Sequence, residues 1–177
     1  MKKRKARKFK ILAIDVLLMV VLIVLDQFTK DMAVVHLKDQ PAFELWQGVL
    51  ELHYLENRGA AFGMLQNQRI FFLFVEVIVL GVIAYILYKI PNHKKYRLMN
   101  ILLSLIAAGA IGNMIDRIRL DYVVDFIYIV LINFPIFNLA DMYVTFSTVI
   151  LILVLLFYYK EEDLHFIGFN QKKYREI

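Results

Sequence analysis

The sequence predicts an all-α integral membrane protein: four transmembrane helices, with a small extracytoplasmic loop region able to form short β-strands. Three observations carry this. The 177 residues are 60% hydrophobic with a mean hydropathy of +0.61, where a soluble domain holds about half apolar residues. Four apolar runs are each long enough to cross a bilayer. The basic residues sort by side between them.

The first run is Ile11 to Phe28, interrupted by Asp15 and Asp26. No small-residue cleavage site follows it, so it reads as a resident span rather than a signal peptide. The second is Ile70 to Ile90, with Glu76 and Lys89 its only charges, and the third is Leu98 to Ile118, largely apolar until Asn113, Asp116 and Arg117. The fourth is Leu139 to Tyr159, with Asp141 near its start. At 18 to 21 residues, each spans roughly 30 Å of hydrocarbon as a helix. The chain reads as a single membrane domain over 1–177, with basic tails at 1–10 and 160–177 and no internal repeat.

The tail Met1–Lys10 holds seven Lys or Arg, the stretch Lys89–Arg97 four, and the chain from Lys160 four. Lys30, Lys38, Arg58, Arg69, Arg117 and Arg119 fall on the other side. Fifteen against six predicts that both termini are cytoplasmic. The net charge of +5 is thus a topology signal and an anionic-lipid contact, not a nucleic-acid surface. Tyr85, Tyr88, Tyr158 and Tyr159 fall near the inner interface, and Trp46, Tyr54 and Tyr122 near the outer, as amphipathic rings do. The outer loop from about Asp31 to Arg69 is long for a connection, which favours a functional role. Its segment Gly48–Leu55 alternates in polarity and suits a short strand pair.

Five separate stretches bring polar side chains to one layer near the outer interface. Asp26 lies at the outer end of the first span, and Asn113, Asp116 and Arg117 at the outer end of the third. Asn138 and Asp141 open the fourth, Asp125 sits in the loop before it, and Asn57 and Arg58 sit in the other outer loop. Ionisable groups at that depth need a partner or a purpose. The spacing of Asn113, Asp116 and Arg117 puts them on one helix face. The small residues Ala107–Ala110 and Gly112 let another helix approach closely. A proton-relaying transporter would spread its acids through the membrane, whereas only Asp15 and Glu76 lie away from the outer layer; those two read as structural or snorkelling, and His53 as an ordinary loop residue.

The absence of cysteine excludes disulfides, thiolate metal sites and a cysteine nucleophile. Ser104 and Ser147 are mid-helix, away from the polar layer. His36, His53, His93 and His165 are scattered without an H-E-x-x-H pattern, so no metal and no cofactor is expected. Carboxylates remain. Two aspartates held close keep one proton near neutral pH. The charged one takes a proton from water while the neutral one polarises a scissile carbonyl, and low dielectric sharpens the division. Spacing alone does not choose between Asp116 and Asp125.

Five ordered motifs resemble bacterial lipoprotein signal peptidase (signal peptidase II), an aspartyl membrane peptidase family. They are Asp26-Gln-Phe-Thr-Lys30, Asn57-Arg-Gly-Ala-Ala-Phe62, Gly112-Asn-Met-Ile-Asp-Arg117, Val123-Val-Asp-Phe126 and Phe137-Asn-Leu-Ala-Asp141. The resemblance spans about Ile11 to Tyr159. It implies an aspartyl endopeptidase of the bacterial cytoplasmic membrane, with its site near the outer face. Such an enzyme removes the signal peptide from prolipoproteins just before a diacylglyceryl-modified cysteine and is inhibited by globomycin. The family's catalytic pair falls on Asp125 and Asp141. Asp116 is then a structural acid that orients the site, with Arg117 as its partner. Arg117 either holds substrate backbone or fixes an aspartate. Asn57 is read as a substrate-backbone contact, with Gly59 beside it, and Asn113 and Asn138 as hydrogen-bonding the peptide or the pair. Asp26 supports the outer loop. The partners expected are lipid-modified prolipoproteins, membrane lipids and globomycin-type inhibitors, and the protein is expected to be a monomer. The outer loop, with Trp46, Gly48, Gly59 and Gly63, is expected to move as substrate enters.

Overall fold

The computed structural model describes the backbone of residues 2–60 and 64–168, with side chains from residue 9 onward. Helix α1 is Lys2–Leu37, α2 Arg69–Lys89, α3 Arg97–Leu120 and α4 Leu139–Phe157. All four are long and apolar enough to cross a membrane. The most apolar stretch of α3 is 67% buried, against 6 to 11% for the other three. So α3 is the central post, and the others turn most of their apolar surface outward, as lipid requires.

Glycine explains how closely the others approach α3. A Cβ at Gly109 would meet Ala140 O and the Val144 side chain of α4, and one at Gly112 would strike Asp26 Oδ2 of α1. The small-residue run thus brings both helices against α3. At the other end of the bundle Leu87, Met99, Leu103 and Tyr159 form an apolar core. There Tyr159 stacks on Tyr96, and Lys95 pairs with Asp163 at 2.6 Å. The start of the carboxyl tail, Glu161–Leu164, is therefore docked as a short 3-10 turn.

The first helix departs from the sequence reading. It runs on to Leu37, so Lys30 and Asp31 are helical and the outer loop begins near Lys38. Lysine is a good helix former, so the helix continues past the end of the apolar run, and the Lys30 charge is neutralised inside the protein by Asp26 and Asp116. Above it Ala33 packs against Val124 and Phe126.

Strands β1 (Phe43–Trp46), β2 (Leu50–Asn57) and β3 (Val123–Ile129) form an antiparallel sheet in that order. The turn between β1 and β2 carries Gly48 at φ +69°, a left-handed conformation that glycine adopts without cost. The strand pair expected around Gly48–Leu55 is present. The third strand corrects the reading of Asp125 as a loop residue. Val123-Val-Asp-Phe pairs with β2, which puts Leu55 opposite Asp125 and Asn57 opposite Val123.

Candidate active site

Asp125 is 1% exposed and has an asparagine on each carboxyl oxygen. Asn57 Nδ2 donates to Oδ2 at 2.8 Å. Asn138 Nδ2 donates to Oδ1 at 2.7 Å. Asn138 is also the N-cap of α4: its Oδ1 accepts the backbone N–H of Asp141 at 2.9 Å, and its own N–H donates to Asp141 Oδ2 at 3.1 Å. This reciprocal capping box satisfies two otherwise orphaned donors and leaves Asp141 Oδ1 to accept from Asn113 Nδ2 at 2.8 Å. One residue, Asn138, is therefore bonded to both aspartates. Burial, then the negative charge of Asp141, pushes the Asp125 carboxyl up to about 7, against the amides of Asn57 and Asn138 and the Lys30 ammonium, which favour its charged form.

Beneath this layer lies a second one, built around a cation, Lys30, that the sequence reading does not identify as part of the site. Lys30 is 2% exposed. Its ammonium reaches Asp26 Oδ2 at 3.0 Å, Asp116 Oδ2 at 2.9 Å and Asn113 Oδ1 at 2.8 Å. Three donors meet three acceptors, which is all an ammonium can do. Gln27 Nε2 adds a contact to Asp116 Oδ1 at 3.0 Å. The two acids in turn hold backbone of the site. Asp26 Oδ1 accepts Ala140 N at 3.0 Å, fixing the start of α4, and Asp116 Oδ2 accepts Val124 N at 3.1 Å, fixing β3 beside Asp125.

Lys30 also orients the amides above it. An ammonium only donates, so Asn113 must present Oδ1 to it and Nδ2 to Asp141. The same Oδ1 accepts Asn138 Nδ2 at 3.2 Å. That leaves Asn138 Oδ1 for the helix cap. The polarity of the network is set from the buried cation upward.

Asp26, Asn57, Asn113, Asp116, Asp125, Asn138 and Asp141 thus belong to one hydrogen-bonded network. Gly59 joins it by donating its N–H to Asn57 Oδ1 at 3.0 Å, a local turn whose tightness leaves no room for a Cβ against Met64 O. Asn57 is therefore both a turn residue and a carboxylate ligand. Three readings need correction. Asp116 pairs with Lys30, not with Arg117. Arg117 reaches away to Glu76 at 2.6 Å and lies over the Phe72 ring, because its long side chain clears the Asn113–Asp116 face and meets α2. Asp26 braces α1 against the start of α4 rather than supporting the outer loop, since it lies 11 residues before the helix end. Glu76 is structural, as expected, through Arg117. Gly63, one of the glycines of the loop expected to move, and Ala61 and Phe62 of the second motif lie outside the described residues.

Lys30 carries a legible signal: it stands four residues after Asp26, the spacing of a helical ion pair. A cavity of about 540 Å³ opens beside Asn57, walled by His53, Leu55, Tyr128, Phe134 and Pro135.

Comparison with known proteins gives the class first. A solved bacterial membrane enzyme, determined by the in meso method at 2.3 Å resolution, matches with a TM-score of 0.72 at 32% identity, over 81% of this chain and 88% of that one. A second, at 1.9 Å resolution, matches with a TM-score of 0.71 at 32% identity, over 83% and 95%. The fold is that of a bacterial membrane enzyme.

The sequence narrows the class. The lipoprotein signal peptidase of Streptococcus thermophilus (strain CNRZ 1066) is 44% identical over 142 residues, 80% of this chain and 90% of that protein. That of Streptococcus pyogenes serotype M5 (strain Manfredo) is 40% identical over 148 residues, 84% and 94%. The family model described as signal peptidase (SPase) II matches residues 18–157. The chain belongs to the signal peptidase II family of aspartic peptidases.

Proposed function

We propose that this enzyme removes the signal peptide from diacylglyceryl-modified prolipoproteins just before the lipidated cysteine, with Asp125 and Asp141 as its catalytic pair. The observation that carries the assignment is the sharing of Asn138 between those two carboxylates, its side-chain amide donating to Asp125 and its backbone N–H to Asp141. Asp125, pushed up to about 7, keeps the proton of the pair near neutral pH. Asp141, at the positive amino end of α4, is the base.

In the reaction a water between the two carboxyls gives its proton to Asp141 as its oxygen attacks the scissile carbonyl. Asp125 gives its proton to the carbonyl oxygen, forming a neutral tetrahedral diol. When the C–N bond breaks, the proton on Asp141 passes to the departing amine of the cysteine. Asp125 recovers a proton from the diol as the new carboxyl forms. In the substrate complex Asn57 and Asn113 hold peptide backbone as well as the pair. The cavity beside Asn57 leads the chain after the cysteine away from the membrane. The diacylglyceryl group fixes the depth of the bond, so that the polar layer meets it.

In this reading both termini are cytoplasmic, the site lies near the outer face, the enzyme works as a monomer, and globomycin-type inhibitors occupy the same layer. Moving Lys30 from loop to buried helix removes one outer-side loop cation and strengthens the charge asymmetry. The test uses purified enzyme with lipidated and unlipidated preprolipoprotein, each with and without globomycin. Cleavage of the lipidated precursor alone, abolished by globomycin, is the expected result; equal cleavage of both precursors overturns the reading.

A further inference from the structure

At the end of the bundle opposite the aspartates lies a second cavity, of about 420 Å³, between the start of α1, the end of α2 and the α2–α3 connection. Its rim carries Lys10, Lys94 and Arg97. Among the described residues none of these three is in an ion pair, unlike the neighbouring Lys95, which is held by Asp163. His93 also lines the rim, and α3 begins at Arg97 with no side-chain cap on Tyr96, so its positive end faces the same region.

The interior is polar where the hydrocarbon would demand otherwise. Asp15 is 4% exposed and accepts only a long 3.4 Å hydrogen bond, from Asn100 Nδ2. Asn100 is itself 9% exposed, and its Oδ1 has no partner. Both polar atoms of Asn92 are shielded from solvent and equally unpaired. Leaving a buried amide unpaired is costly, and two residues of the cavity lining, Asn92 and Asn100, together hold three such polar atoms without a partner. Ile14, Leu18 and Ile101 continue the wall toward the membrane centre.

Three chemical demands meet here. The rim cations call for an anion such as a phosphate. Asp15 and the Asn100 carbonyl oxygen are acceptors and call for hydroxyl donors, and the carboxylate would repel a ligand that offered charge alone. The apolar wall calls for an acyl chain. We propose that this cavity binds an anionic glycerophospholipid of the inner leaflet through its phosphate and free headgroup hydroxyls, a phosphatidylglycerol-type lipid. The choice of leaflet rests on the topology proposed above; binding itself does not, so a reversed topology and a missing site give different results.

The test is native mass spectrometry of the full chain released from detergent. Phosphatidylglycerol and phosphatidylcholine of matched acyl chains are added in competition. One phosphatidylglycerol is expected to be retained in preference to phosphatidylcholine. Lys94→Gln/Arg97→Gln is expected to weaken that retention about 25-fold, from roughly fivefold per basic side chain near a lipid surface. Both positions are exposed, so this variant folds. Asn100→Ala is expected to weaken it too, and Lys160→Gln, outside the cavity, to leave it unchanged. Inorganic phosphate or glycerol 3-phosphate at millimolar concentration should not displace the lipid. Equal retention of the two lipids, indifference to the double substitution, or full displacement by the free anions would each overturn the proposal.

Discussion

The ammonium of Lys30 lies 2.9 Å from a carboxylate oxygen of Asp116, and both side chains are at least 96% buried. A buried charge whose partner is removed is left uncompensated, at a cost of about 3–5 kcal/mol. Lys30→Met should therefore lower the melting temperature and the folded yield, and lower activity by releasing the Asn113 amide to rotate. Lys30→Met/Asp116→Asn should recover part of the stability, because one stranded charge is gone. Thermal melts of the purified variants, read beside lipoprotein cleavage, check this. A stable, fully active Lys30→Met would show that the cation does not organise the site.

This pair also marks where sequence reading stops. The four spans are legible because hydropathy needs only local composition, and the polar layer follows from counting along each span. Lys30 counts as an outer-loop charge in the sequence because an apolar run ends at Phe28, although the helix does not. Its burial depends on Asp116, 86 positions away in the sequence. Asp125 looks like a loop residue for a similar reason: β3 exists only by pairing with β2 from another loop. The common face of Asn113 and Asp116 holds, but the spacing cannot tell that Arg117 reaches Glu76.

The contact between Gly112 and Asp26 leaves no space for a methyl group. Gly112→Ala must push α1 away from α3 or displace the Asp26 carboxylate, and overpacking of this kind costs about 1–3 kcal/mol. At Gly81, on α2, a methyl group would have no neighbour within 4 Å, so Gly81→Ala should leave the melting temperature unchanged or raise it slightly through helix propensity. Paired melts compare the two. Equal effects would mean that the close approach at Gly112 is not what holds α1 in place.

The proton on Asp125 predicts a pH dependence. Its carboxyl is pushed up from 3.8 to about 7 by burial and by Asp141. In the proposed mechanism the pair holds, below that value, the proton that the carbonyl oxygen needs; above it, kcat/KM should fall about tenfold per pH unit. The same sign applies to stability: the native state binds this proton more tightly than the unfolded chain, so the contribution is full below 3.8 and is lost as pH rises through about 7. Asn57→Leu removes an amide that favours the charged form, so the alkaline limb should move to higher pH while activity drops. A limb that moved to lower pH would contradict this assignment of the proton.

The sharpest prediction separates chemistry from support among three aspartates. Asp125→Asn and Asp141→Asn should each cut turnover by about 10²–10⁴ or more, the range of a lost acid or base, with near-native melting temperatures. Asparagine can still accept at Asp125 Oδ1 or Oδ2 from one of its two amide neighbours, and at Asp141 from the Asn138 N–H that completes the helix cap. It preserves shape but cannot carry the proton. Asp116→Asn should behave differently. It takes a charge from Lys30 and weakens the acceptor that holds Val124 N, one residue from Asp125. Melting temperature and activity should fall together, and the loss of melting temperature alone should ease when inhibitor is bound. The assay is cleavage of a lipidated precursor, normalised to folded protein by size exclusion. A folded, stable and inactive Asp116→Asn beside an active Asp125→Asn would transfer the catalytic role to Asp116 and leave Asp125 as the support.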